Sequence, residues 1–172
     1  MRLKRKVCLL GAPGVGKSSL VRRFVEQQFD EDRQSSIGME ISRSSVELGD
    51  ISLEMVLWDL DEGSEAWGQY NRSFISGASG LIFVVDATKP RSLDHLLEAQ
   101  AKGRGFIGSR PAVLIVNKVD LTGDFALTKA QVDAASKLNW QLLRASAKSG
   151  DHVDEAFVKL AELMLESRKA SA

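Results

Sequence analysis

The chain of 172 residues has a single cysteine, Cys8. That scarcity excludes an intramolecular disulfide and any zinc site built on cysteine spacing. Cys8 sits in the apolar run VCLL, where it reads as a small buried hydrophobe, not a reactive thiol. Long apolar runs are missing too, and none approaches the roughly 18 residues of a membrane-spanning helix. The basic start MRLKRK leads only into VCLL, shorter than the apolar stretch of about 7–15 residues in a secretory signal. Charge of either sign is balanced: Lys plus Arg and Asp plus Glu are 23 each, so no global field draws the chain to nucleic acid or an anionic membrane. The C-terminal LESRKASA holds no cysteine for a prenyl group, and Arg2 stands where N-myristoylation needs glycine, so no lipid anchor is expected. Repeats, low-complexity tracts and interdomain linkers are also absent. The expectation is one domain over residues 1–172, cytoplasmic and monomeric, with no transmembrane segment and no nucleic-acid partner.

What is present alternates. Apolar, β-branched runs take turns with longer stretches of helical periodicity, the pattern of an α/β fold whose mainly parallel sheet is covered by helices. Residues 6–10 (KVCLL) read as a first strand. Residues 16–29 read as a helix with Leu20, Val21, Phe24 and Val25 on one face. Two strand-like runs flank Gly49-Asp50, which predicts an antiparallel hairpin. GLIFVVDA (80–87) and AVLIVNK (112–118) are continuous apolar runs, expected to be buried on both faces. A short helix over 92–101, a helix opened by Thr128, a strand near WQLLRAS and a last helix from about 152 to 167 complete the set. In that last helix Val153, Ala156, Phe157, Leu160 and Met164 form one stripe, read as core packing. The Gly- and Arg-rich stretch 102–111 reads as a solvated connection. His95 and His152 have no metal-like or triad-like company and read as surface residues.

GAPGVGKS (11–18) fits G-x-x-x-x-G-K-[ST] between a strand and a helix, the context that gives this motif its meaning. Its glycines let backbone N–H groups approach phosphates without a Cβ in the way. Lys17 reaches β/γ oxygens, the Ser18 hydroxyl suits Mg²⁺, and the helix N-terminus adds its positive end. Pro13, Gly14, Val15, Gly16, Lys17, Ser18 and Ser19 are thus candidate nucleotide contacts. NKVD (117–120) ends a buried strand, where open α/β sheets bind ligands. The Asp120 carboxylate can accept two hydrogen bonds, from guanine N1–H and the exocyclic N2, and adenine offers neither. Asn117 and Lys118 share that loop. Downstream, Ser146, Ala147 and Lys148 follow the last strand, and the Ala147 N–H can meet guanine O6.

With GAPGVGKSS, SSIGME, WD, GLIFVVDAT, NKVDL and SAKSG in this order, the chain resembles the Ras superfamily of small GTPases, in the texture of its Rab-like branch, from Lys6 to about Arg168. The resemblance implies the P-loop NTPase fold of small G proteins: a six-stranded, mainly parallel sheet with one antiparallel hairpin and five helices on both faces. It also implies GTP and GDP as ligands, with Mg²⁺. Carried over by position, Phe29 lies against the guanine, Ser36 ligates Mg²⁺ in the triphosphate state, and Asp59 holds Mg²⁺ through water. Effectors, exchange factors and GTPase-activating proteins are the implied partners, through switch I (30–40) and switch II (59–75).

Four positions depart from the family pattern. Pro13 stands where many members have glycine or serine, and its missing N–H and stiff φ alter the wall facing the γ-phosphate. Ser36 replaces threonine. The family's D-x-x-G becomes Asp59-Leu60-Asp61-Glu62-Gly63, one residue longer. Ser64 then takes the place of the water-positioning glutamine and, with Lys17, is the candidate catalytic residue. Trp58 is expected under the end of the sheet; Trp67 fits the core or an exposed contact of switch II equally. Two readings follow: a guanine-nucleotide switch with slow hydrolysis, or a nucleotide-bound interaction module with negligible turnover. A P-loop kinase or ATPase is disfavoured by NKVD and SAK.

Overall fold

The computed structural model describes residues 1–27, 38–60, 73–121 and 127–170. Its elements run β1 (Arg2–Leu10), α1 (Lys17–Glu26), β2 (Met39–Leu48), β3 (Ile51–Leu60), β4 (Gly80–Asp86), α2 (Arg91–Ile107), β5 (Ala112–Asn117), α3 (Lys129–Ser136), β6 (Gln141–Arg144) and α4 (Val153–Ala170). The sheet has six strands in the order β2-β3-β1-β4-β5-β6. β2 and β3 form the antiparallel hairpin, with Leu48 opposite Ile51 across Gly49-Asp50. Every other pair is parallel.

Alternation along the strands divides the core in two. Val7, Leu9, Leu53, Met55, Leu57, Ile82, Val84, Val113 and Ile115 face α1 and α4, where they meet Leu20, Val21, Phe24 and the whole stripe Val153, Ala156, Phe157, Leu160 and Met164. Phe24 stacks on Phe157, ring centroids 4.0 Å apart and planes 2° from parallel. Cys8, Leu10, Leu81, Phe83, Val85, Leu114 and Val116 face the other way, toward Leu93 and Leu96 of α2 and Ala135 of α3. β4 and β5 are buried along their full length because helices cover both their faces.

Three boundaries differ from expectation for physical reasons. β1 starts at Arg2, not Lys6, because its first half pairs only with β3, and Arg2 and Lys4 there meet Glu54. α1 closes at Glu26, with Gln27 left-handed (φ 56) and its N–H donating to the Arg23 carbonyl. The stretch expected as a solvated connection is helical as far as Ile107. A glycine costs a helix roughly 1 kcal/mol against alanine, but Gly103 and Gly105 follow turns already anchored by the buried Leu93 and Leu96. The helix ends where Gly108 takes a left-handed φ of 63°. Thr128 opens α3 with a capping box to Gln131. Among the described residues no helix is long and apolar enough to cross a membrane.

Candidate functional site

The parallel strands deliver their carboxyl ends to one edge of the sheet, at the point where the order reverses between β1 and β4. β1 ends at Leu10 and runs into Gly11–Gly16, and α1 begins at Lys17. Gly16 is the residue before the helix, left-handed at φ 99, and no side chain caps it. The first-turn N–H groups therefore point outward with the positive end of the helix dipole. A Cβ on Gly16 would come within 2.3 Å of the Asn117 amide nitrogen, so only glycine permits this approach. Val15 is buried beneath the loop. The buried Lys17 folds back over it and donates to the carbonyls of Gly11 (2.8 Å) and Ala12 (3.4 Å).

β3 brings Asp59 alongside Leu9, the penultimate residue of β1. Ser18 Oγ donates to Asp59 Oδ2. A hydroxyl and a carboxylate, both hard oxygen donors, thus share one point at the first turn of α1. That donor set fits Mg²⁺, which keeps several waters and takes few protein ligands.

The loop after β5 is tied to the phosphate loop twice. Asn117 Nδ2 donates to the Val15 carbonyl at 2.9 Å, while Asn117 Oδ1 accepts from the Ala147 N–H at 3.1 Å. Only one orientation of the amide satisfies both bonds. Lys118, left-handed at φ 66, reaches back to donate to the Gly14 carbonyl (2.6 Å) and to Asp86 Oδ2 (2.7 Å). Asp86 ends β4 directly across from Asn117 and is fully buried. It also accepts from the Thr88 N–H at 2.9 Å and the Thr88 hydroxyl at 2.6 Å. Burial pushes its carboxyl up, but the hydrogen bonds from Lys118 and Thr88 and the Lys118 charge outweigh that and hold it below the usual range. Asp120 lies in the turn Val119–Leu121, exposed, and its Oδ1 accepts from the fully buried Ser146 hydroxyl at 2.6 Å. The same hydroxyl accepts from the Ser149 N–H, and Ser146 N–H donates to the Asp151 carbonyl, so the 146–151 turn fixes the direction of the carboxylate.

The structure thus brings together Pro13, Gly14, Val15, Gly16, Lys17, Ser18, Ser19, Asp59, Asn117, Lys118, Asp120, Ser146, Ala147 and Lys148 along one edge. Phe29, Ser36, Gly63 and Ser64, with Asp61, Glu62 and Trp67, lie outside the described residues. Of the two switch ranges, Met39 and Glu40 already belong to β2, and Asp59 and Leu60 to β3. Met39 and Ile41 are exposed on edge strand β2, at 50% and 46%. Trp58 packs beneath the sheet end as expected, with Lys6 Nζ 3.9 Å from its ring centroid and Phe74 edge-on at 6.0 Å. Lys6 also donates to the carbonyls of Phe74 (2.6 Å) and Ser76 (2.9 Å). His95 and His152 are exposed.

Two residues that sequence reasoning passed over hold the site together. Asp86 was readable: an ionisable group closing a strand buried on both faces needs a partner. Arg23, on α1, donates through Nε to the Ala147 carbonyl at 2.8 Å and through Nη2 to the Lys148 carbonyl. No local signal separates it from its neighbour Arg22.

Residues 6–166 match the sequence model of the Ras family. The chain is 30% identical over 162 residues to Ras-related protein Rab-1 of Theileria annulata, covering 92% of this chain and 73% of that protein. It is 31% identical to human Ras-related protein Rab-4A over 163 residues, 93% of this chain and 74% of that one. Human Ras-related protein Rab-12 is 31% identical over 165 residues, 94% of this chain and 67% of the relative.

Proposed function

The chain belongs to the Ras family, on its Rab-like side, and from that premise we propose that it is a guanine-nucleotide switch that binds GTP and GDP with Mg²⁺ and hydrolyses GTP slowly. The observation that carries the proposal is the cross-tied edge of the sheet. Asn117 joins Val15 of the phosphate loop to Ala147 of the base loop, while Ser146 holds the Asp120 carboxylate. Polyphosphate and base sites are thereby one unit, set for guanine at one end and a triphosphate at the other.

In this reading the backbone N–H groups of the phosphate loop surround the β- and γ-phosphates, and Lys17 exchanges its loop carbonyls for phosphate oxygens. Ser18 and Asp59, with Ser36 carried over from the family, would hold Mg²⁺. When bound, that ion would supply neutralisation of phosphate charge. Phe29 would lie against the base. Effectors, exchange factors and GTPase-activating proteins would meet residues 30–40 and 59–75, with exposed apolar surface at Met39 and, just beyond the first range, at Ile41. A cytoplasmic monomer of one domain is part of the same proposal.

Slow hydrolysis rests on the sequence of the 59–64 loop. Ser64 is too short to orient an attacking water as glutamine does, and Asp61 and Glu62 bring negative charge toward a transition state that is itself negative. The same loop favours the second reading, a nucleotide-bound interaction module with negligible turnover. Titration of the parent and of Asp120→Asn with guanine, xanthine and adenine nucleotides tests the base site. The parent should prefer guanine, and the variant should lose at least about 10-fold in GTP affinity, as for a hydrogen bond to a charged group, and gain relative affinity for xanthine. GTP binding equal to the parent's refutes the base assignment. Single-turnover hydrolysis should run at or below roughly 10⁻⁴–10⁻³ s⁻¹, the unaided rate in the glutamine-bearing family. No detectable turnover decides for the module; a much faster rate abolished by Asp61→Ala or Glu62→Ala reveals a catalytic carboxylate in the loop.

A further inference from the structure

α1 starts at the phosphate end of the site and ends beside the base loop, and Arg23 is where it grips that loop. Its guanidinium is half-buried and spends its donors on backbone carbonyls: Nε on Ala147 (2.8 Å), Nη2 on Lys148, and Nη1 on Gln27 (3.3 Å). The Gln27 carbonyl lies at the C-terminal end of α1, where the helix dipole favours a cation. Planar guanidinium donors point in fixed directions, so carbonyls from two distant segments are held at one spacing; an ammonium has no such fork.

The peptides on either side of Ala147 are pinned from opposite directions. The N–H of Ala147 is met by Asn117 Oδ1 at 3.1 Å, and its carbonyl by Arg23. Removing Arg23 takes a donor from the Ala147 carbonyl and another from the Lys148 carbonyl, loosening the backbone that sets the direction of the Ala147 N–H. Ser146 is held separately, through Asp151 and Asp120, so the carboxylate end of the base site keeps its own support.

We infer that Arg23 is a positioning residue: it holds the 147–148 backbone so that the Ala147 N–H, which donates to Asn117 Oδ1 in this structure, is also presented to guanine O6. It so couples the phosphate-binding helix to recognition of that one base edge. The inference rests on the guanine-nucleotide reading above. The side chain of Arg23 donates to backbone carbonyls, so it acts through the 147–148 backbone. Contacts to N1–H and N2 go through Asp120, and contacts to phosphate go through Lys17 and the loop, whereas the hydrogen bonds of Arg23 go to Ala147, Lys148 and Gln27.

Dissociation rates of GDP and of 6-thio-GDP, whose sulfur is a poor acceptor at the O6 position, from the parent, Arg23→Lys and Arg23→Met test this. In the parent, 6-thio-GDP should leave faster than GDP. In Arg23→Met, GDP should leave at least tenfold faster while the two nucleotides converge to within about twofold of each other. Arg23→Lys should fall between, and it keeps the test open if the methionine variant does not fold. The acceleration of release by EDTA, which reports the phosphate end, should be unchanged. A variant whose GDP release stays within twofold of the parent overturns the inference. So does one in which both nucleotides accelerate equally, because general loosening would do that. A parent that binds ADP as well as GDP overturns the guanine reading and this inference with it. A parent that prefers GDP alongside indifferent Arg23 variants overturns this inference alone.

Discussion

Replacing Asp86 by asparagine is a sharp probe of how the two loops are joined. The substitution preserves volume but removes the charge from a fully buried side chain that accepts from Lys118 Nζ, the Thr88 N–H and the Thr88 hydroxyl. The carboxamide retains one acceptor for Thr88 and turns its own donors toward an ammonium or a hydroxyl. Hydrogen bonds to charged groups contribute about 1.5–3 kcal/mol each. The Lys118 side chain is 30% exposed, so water recovers part of the loss. At neutral pH the variant should therefore be destabilised by the lower part of that range, about 1.5–2 kcal/mol. The pH dependence carries the stronger test. Burial raises the Asp86 carboxyl, but the Lys118 and Thr88 bonds and the Lys118 charge win, leaving its folded pKa below the ordinary value. A depressed carboxylate contributes stability that is present above its unfolded pKa of about 3.9 and lost as pH falls through the folded value. Urea unfolding of both proteins from pH 7 downward should show the gap narrowing below about pH 4. A gap that stays constant with pH, or no gap at pH 7, refutes the account of Asp86 as the charged anchor of Lys118.

Gly16→Ala should weaken nucleotide binding by at least about 100-fold, from roughly 1–3 kcal/mol of left-handed strain and displacement of the Asn117 amide that its Cβ would meet at 2.3 Å. Titration with a fluorescent guanine nucleotide reads this, and parental affinity would show that the close approach of the two loops is dispensable. Cys8 should resist iodoacetamide in the folded protein at pH 8 and react in urea, because burial outweighs the nearby Lys6 and Arg110 charges and pushes its thiol from 9.0 to about 12. Below pH 9 the thiol is neutral folded or unfolded; as pH rises from 9.0 toward 12 only the unfolded thiol ionises, so stability should fall across that range. Labelling of the native thiol as fast as the unfolded one would place it outside the core.

Legibility varied with how much a residue's role depends on its neighbours in sequence. The runs 80–86 and 112–117 could be read as buried strands because burial on both faces demands uninterrupted apolar side chains. The hairpin was legible at Gly49-Asp50, where the chain has only those residues in which to turn. The phosphate loop and NKVD carry their chemistry within a few positions. The reach of α2 to Ile107 was hidden because Gly103 and Gly105 argue locally against a helix that burial upstream sustains. Arg23 was hidden for the opposite reason: its partners, Ala147 and Lys148, lie over 120 positions away, and nothing near it in sequence announces them. The assignments on Phe29, Ser36, Gly63 and Ser64 rest on resemblance and fall outside the described residues.

Lys6 grips both ends of the stretch between β3 and the turn before β4, which bears on how such a segment can change in length. Trp58, just before residue 59, lies under the Lys6 ammonium, and the carbonyls of Phe74 and Ser76, at the far end of the stretch, accept from the same ammonium. The Lys6 carbonyl in turn receives the Ser79 N–H. The chain therefore departs from and returns to one fixed place on β1. Lengthening a segment between fixed ends adds only a logarithmic entropy cost, so a stretch anchored at both ends can change length without moving its anchors. If the proposed function holds, changes in this stretch could alter the rate of hydrolysis, or abolish it, at no cost to the fold.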